Sequence, residues 1–253
     1  MALRSRNPVL REKFFQSLPA TAEPMTLNGT LVRTGLLLVL MLITGGWTWN
    51  HFMSTAAVGG LAAGAAAIQP FLWGGVIVGF ILAMASAFKP NWTPVTAPLY
   101  AIAEGTFLGA ISAMFEVRYH GIVVQAVLAS IGVLVVMLLL YRSGVVKVTQ
   151  KFRMGVYAAT GGIMLLYLVQ WGLSAFTSYS MPFVFGGGTF GILFSLFVVG
   201  IAALNLVLDF DLVERATAAG APRYMEWYCA FALMVTLVWL YLELLRLLGN
   251  TRR

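Results

Sequence analysis

Seven stretches of nearly uninterrupted apolar sequence, each close to twenty residues long, constrain this chain more than any other feature. They run approximately over 34–53, 71–88, 95–115, 121–141, 154–176, 189–210 and 224–248. About twenty residues of helix, rising 1.5 Å each, cross the roughly 30 Å of bilayer hydrocarbon. The stretches are too long and too continuously apolar for the alternating ten-residue strands of a transmembrane barrel, so the expected class is an all-α integral membrane protein. Composition agrees: 60% of the 253 residues are hydrophobic and only 10% are charged, with a mean hydropathy of +0.88. A water-soluble globule carries about 25% charged residues, so that class is excluded. The expected organisation is a polar N-terminal tail over 1–33, a transmembrane domain over 34–249 and a short tail over 250–253.

The net charge of +7 would suggest nucleic acid in a soluble protein. Here the basic residues sit in tails and loops, where they set topology instead. Arg4, Arg6, Arg11, Lys13, Arg33, Lys89, Arg142, Lys147, Lys151, Arg153, Arg215 and Arg223 fall on one side, against Arg118, Arg246, Arg252 and Arg253 on the other. This asymmetry predicts a cytoplasmic N-terminus and an external C-terminus; a re-entrant last segment would bring Arg252-Arg253 back inside. In the tail, Val9, Leu10, Phe14 and Phe15 beside Arg11 and Lys13 suit either a short interfacial helix or a disordered positive anchor. The uncharged, Ala- and Gly-rich stretch His51–Gln69 reads as a first loop that either dips into the membrane or packs on the outer mouth of the bundle.

Several chemistries drop out. One cysteine, Cys229, forms no internal disulfide, and His51 and His120 with a single cysteine make no zinc signature. There is no Walker loop, no strand-borne GxGxxG and no placeable Ser-His-Asp arrangement, so neither an enzyme nor a resident cofactor is expected. Cys229 reads as a small apolar filler, and Trp47, Trp49, Trp92 and Trp171 as interfacial anchors. Small-xxx-small patterns at Gly60/Gly64, Gly75/Gly79, Gly105/Gly109 and Gly187/Gly191 predict close helix packing.

The informative residues are charges within the spans, each costing roughly 2.5–3.5 kcal/mol to insert. Glu104 lies midway along the third span, next to the small-residue face, either as an ion or proton site or as a neutral hydrogen-bonded carboxyl. Asp209 and Asp211, at 100° per residue, point about 200° apart and do not form a same-face dyad. Asp211 is also spaced to pair locally with Arg215. On the last helix Glu226, Cys229, Thr236 and Glu243 share one stripe, and Arg246 stands one turn beyond Glu243, spaced to pair with it.

The stretches Pro98–Ser112, Leu206–Asp211 and Leu240–Gly249, with Arg4–Leu10 and Met25–Gly29, resemble the Bax inhibitor-1/YccA family, also called the transmembrane BAX inhibitor motif family, in a bacterial branch. The resemblance implies a seven-transmembrane-helix bundle with the C-terminal helix at the centre, in a bacterial inner membrane, and a pH-sensitive calcium leak. It places the helix-six acid of the family on Asp211, making that residue a candidate calcium ligand, and the gating arginine on Arg246. The family's second acid falls on Thr236, which does not ionise, so a two-carboxylate sensor is incomplete here. Asp209, Glu104 and Glu226 are the acids available to substitute. Animal relatives are linked to suppression of cell death and a bacterial relative to modulation of a membrane-bound AAA protease. The expected partners are therefore the lipid bilayer and, in the alternative reading, such a protease; nucleic acid is not among them.

Overall fold

The computed structural model describes residues 23–177 and 188–252. The readings of Val9, Leu10, Phe14 and Phe15, of the basic residues before Glu23, and of Gly187 fall outside these residues. Within them the protein is helical: α1 Leu27–Phe88, a 3-10 turn Pro90–Trp92, α2 Thr93–Arg118, α3 Ile122–Arg142, α4 Gln150–Thr177, α5 Thr189–Ala218 and α6 Met225–Thr251. All six α-helices are long and apolar enough to cross a membrane. Many large apolar side chains face outward, with Val58 92% exposed and Leu42, Phe88 and Leu168 also exposed. A soluble protein would bury such a surface; in hydrocarbon it needs no cover.

Two expectations change. The count of expected spans was seven, whereas the described residues form six such helices. The difference lies in α1, which contains the expected spans 34–53 and 71–88 together with the expected loop between them. That loop is helical because Ala, its commonest residue, is the strongest helix former and no charge interrupts it. The tail boundaries shift too, since α1 begins at Leu27 and α6 continues to Thr251.

The chain divides into two compact units, Met1–Ala110 with Asp211–Met234, and Ile111–Phe210 with Val235–Arg253. In the first unit, a straight α1 of 62 residues would measure roughly 93 Å at 1.5 Å per residue, three times the hydrocarbon depth. Gly60, at φ 82° and ψ 173°, breaks it; that conformation is open to glycine because it has no Cβ. The Trp47 and Phe71 ring centroids stand 5.0 Å apart, although 24 residues of straight helix would separate them by roughly 36 Å. The two arms of α1 are thus an antiparallel hairpin. His51, the first residue of the expected loop, lies in the first arm and stacks on Trp47 at 5.7 Å.

Glycine lets α2 approach both arms. A Cβ on Gly105 or Gly109 would collide with Met41, Thr44 or Gly45 of the first arm, and one on Gly75 would stand 2.8 Å from the carbonyl oxygen of Ala103. A buried hydrogen bond of 2.7 Å between the Ser86 and Thr96 hydroxyls ties the end of α1 to the start of α2.

In the second unit Met137 of α3 packs with Ala203 and Val207 of α5, flanked by Val133, Tyr141, Phe152 and Phe210. The α2–α3 turn passes through Gly121 at φ 76°. Glu116 secures it by accepting from the Gly121 N–H at 2.5 Å and the Val123 N–H at 3.2 Å, a carboxylate at a helix start where it opposes the macrodipole. Arg252 donates to the His120 carbonyl at 2.9 Å and to Gln125 Oε1 at 2.8 Å.

Gly109→Val places a branched side chain against the Gly45 backbone and should destabilise the protein by ~1–3 kcal/mol. Gly132→Val, at a position with nothing within 4 Å, should leave stability unchanged. Thermal unfolding of both variants in detergent measures the difference.

Candidate functional site

Polar side chains gather along the inner faces of α4, α5 and α6 in the second unit. Hydrocarbon offers them no water, so each side chain's partner decides what it can do. Asp209 of α5 shares a side-chain hydrogen bond with Thr236 of α6. Its other oxygen, Oδ2, is buried with no hydrogen-bond partner among the described residues. One turn away on α5, Asn205 Nδ2 donates to Thr160 Oγ1 of α4 at 2.8 Å and to the Ile201 carbonyl at 2.9 Å. Near the end of α6, Asn250 Nδ2 donates to Ser195 Oγ of α5 at 3.4 Å.

Between these lies a charged cluster. Tyr167 of α4 donates its hydroxyl hydrogen to Glu243 of α6 and accepts from Arg246 at 2.8 Å. Arg246 and Glu243 also approach to 3.6 Å, three residues apart on one helix. The Arg246 guanidinium lies 5.6 Å from the ring centroids of both Tyr167 and Phe194, and Glu243 is only 4% exposed. A buried pair of this kind is held by geometry, since removing either partner strands the other charge. Ser112 and Tyr241 close the same unit with a 2.6 Å hydroxyl–hydroxyl hydrogen bond.

The remaining candidates lie in the first unit. Asp211 is buried and accepts from Arg215 Nε at 2.8 Å, the local i, i+4 pair that the spacing suggested. Glu104 faces the hairpin: its Oε2 would be 2.9 Å from a Cβ on Gly79, and its Oε1 accepts from the Tyr100 hydroxyl at 3.3 Å. Glu226, at the start of α6, pairs with Arg33 near the start of α1 and accepts from the Thr26 N–H at 2.8 Å.

The resemblance sets Asp211 as the helix-six acid with Thr236 at the place of the second acid; in the structure Thr236 hydrogen-bonds Asp209, two residues before Asp211. Among the described residues no three His, Cys, Asp or Glu side chains come together as a metal-holding group. The stripe on α6 also separates: Thr236 and Glu243 line the second unit, while Glu226 serves the first. Cys229 is fully buried, as a filler would be.

Sequence reasoning missed Tyr167, Asn205, Thr160 and Tyr100, all single polar groups inside apolar runs whose partners lie on other helices or one turn away. Arg33 was visible, but only as a topology signal.

A family model described as Bax inhibitor 1 like matches residues 7–253. No curated protein and no solved structure matches significantly.

Tyr167→Phe deletes the hydroxyl that serves Glu243 and Arg246 together. It should cost ~1.5–3 kcal/mol, as expected for a hydrogen bond to charged groups, read as a lowered unfolding temperature in detergent.

Proposed function

Because the chain belongs to the Bax inhibitor 1 like family, we propose that it is a pH-modulated, calcium-permeable leak protein without catalytic activity, in a bacterial inner membrane. The observation that carries this reading is the Asp209 carboxyl, hydrogen-bonded to Thr236 and with a buried Oδ2 that has no hydrogen-bond partner among the described residues. A carboxyl so placed is stable as a neutral acid or beside a cation, and exchanging those two states is what a proton-responsive ion path requires. Glu243, Tyr167 and Arg246 extend the polar lining along α4 and α6, and Arg246 is the gating cation of this scheme. Calcium favours six to eight oxygen ligands, so with no carboxylate cluster among the described residues the ion passes largely hydrated.

In this reading the two arms of α1 are separate crossings, which makes seven with α2–α6, and the N-terminus is cytoplasmic. The burial of more than half of the most apolar stretch of α6 supports the central place that the resemblance gives it. A second reading, modulation of a membrane-bound AAA protease, draws support from the basic residues ahead of α1 and from the exposed Arg223.

Flux of calcium into vesicles containing purified protein, compared with empty vesicles, tests the leak. Wild-type flux should change between about pH 5 and 8. Asp209→Asn, fixed in the neutral form, should flatten that response. Equal flux with and without protein across this range would remove the proposal. Thr236→Asp should raise the apparent pKa of the site by like-charge repulsion and sharpen the response.

For topology, a reporter active only in the cytoplasm should work when fused after Lys147 and fail when fused after Ser178; the reverse result inverts the orientation.

A further inference from the structure

We propose that the segment Glu23–Arg33 and the α5–α6 connection form a two-tier clasp, a conformational device that holds the starts of α1 and α6 together and releases both as one event.

The outer tier joins a buried backbone contact, with Met25 and Ala221 each 2% exposed, to an exposed ion pair. Pro24 bridges antiparallel to Pro222, the Met25 N–H donates to the Ala221 carbonyl at 2.7 Å, and Glu23 pairs with Arg223 with side chains 67% and 60% exposed. An ion pair in that setting is weak and screened by salt. The inner tier is buried. Glu226, 3% exposed, accepts from the Thr26 N–H at 2.8 Å and the Thr26 hydroxyl at 3.0 Å, and pairs with Arg33. Thr26 is itself the N-cap of α1, its hydroxyl oxygen accepting from the Gly29 N–H at 2.9 Å. One carboxylate therefore stabilises the N-terminus of a helix some 200 residues away in sequence while sitting in the first turn of its own. Arg33 is held in turn by the Gly29 carbonyl at 3.0 Å and lies 5.3 Å from the Trp227 ring centroid. Glycine at position 29 leaves room for the Glu226 carboxylate, which a Cβ there would force to shift.

What makes this a device rather than a rigid joint is the space between the tiers. An open pocket of about 410 Å³ is lined by Glu23, Thr26, Gly29, Arg33, Arg223 and Glu226, so the inner ion pair is not sealed by packed side chains. When the outer tier parts, this pocket widens over Glu226 and Arg33, and the added water weakens their attraction. The clasp does not depend on what the protein transports.

Hydrogen exchange of the full-length protein in lipid nanodiscs tests the coupling. Glu226→Gln should speed exchange of the amides at 26–30 and at 225–228 together by about tenfold, leaving those of α3 unchanged. Glu23→Gln should speed the same two segments by about threefold, and 1 M salt should reproduce that effect in the wild type while adding nothing to the variant. Faster exchange at only one segment in Glu226→Gln would overturn the clasp, as would no change at either segment in Glu23→Gln. Should Glu226→Gln not accumulate, Arg33→Lys, which keeps the charge but loses the guanidinium fork, should show the paired increase at lower amplitude; an unpaired change would again overturn it.

Discussion

A polar group in hydrocarbon has no water to fall back on, and the rest of this structure follows from that constraint. It forces the backbone into helices, whose hydrogen bonds are internal. It also obliges each buried acid to find a donor: Glu226 takes Thr26 and Arg33, Glu243 takes Tyr167 and Arg246, Asp211 takes Arg215, and Glu104 takes Tyr100. Asp209 satisfies only one of its oxygens in this way. The buried carboxylates are consequently unequal. Those with a cation beside them are structural pairs whose loss leaves a stranded charge, whereas Asp209 and Glu104 meet the hydroxyls of Thr236 and Tyr100.

The two units resolve their polar interiors differently. In the first, the buried ion pair sits where two helices begin, and its oxygens double as helix caps. In the second, the polar groups run along helix interiors, where no backbone donor is spare, so side chains of α4 and α5 serve them. Tyr167 illustrates the point: one hydroxyl donates to an acid and accepts from a base, a role that neither Phe nor a charged residue fills.

What was legible in the sequence was local. The apolar runs predict the helical class and most element ends within a few residues, because length and hydropathy need no knowledge of neighbours; the exceptions are the start of α1, the end of α5 and the two expected ends that fall inside α1. The pairs Asp211–Arg215 and Glu243–Arg246 were legible for the same reason, being three or four residues apart on one helix. The Gly105/Gly109 pattern was legible as a close contact, though not as a contact with Gly45. Contacts between distant segments were not legible. Nothing in the residues around Arg33 names Glu226, and the match of Thr236 with Asp209 rather than Asp211 depends on the rotation of α5 against α6. The Ala-rich stretch before Gln69 lacks charge as a loop at a bilayer surface can, yet the helix propensity of alanine keeps it helical on either side of Gly60.

The α1 hairpin bears on how the protein enters a membrane at all. Between Arg33 and Lys89 the chain contains no Asp, Glu, Lys or Arg, and its single reversal, at Gly60, leaves few backbone groups outside a helix. Its tip therefore carries no ion into lipid, and an uncharged pair of helices of this kind can enter a membrane as one unit, with Arg33 and Lys89 bounding the stretch.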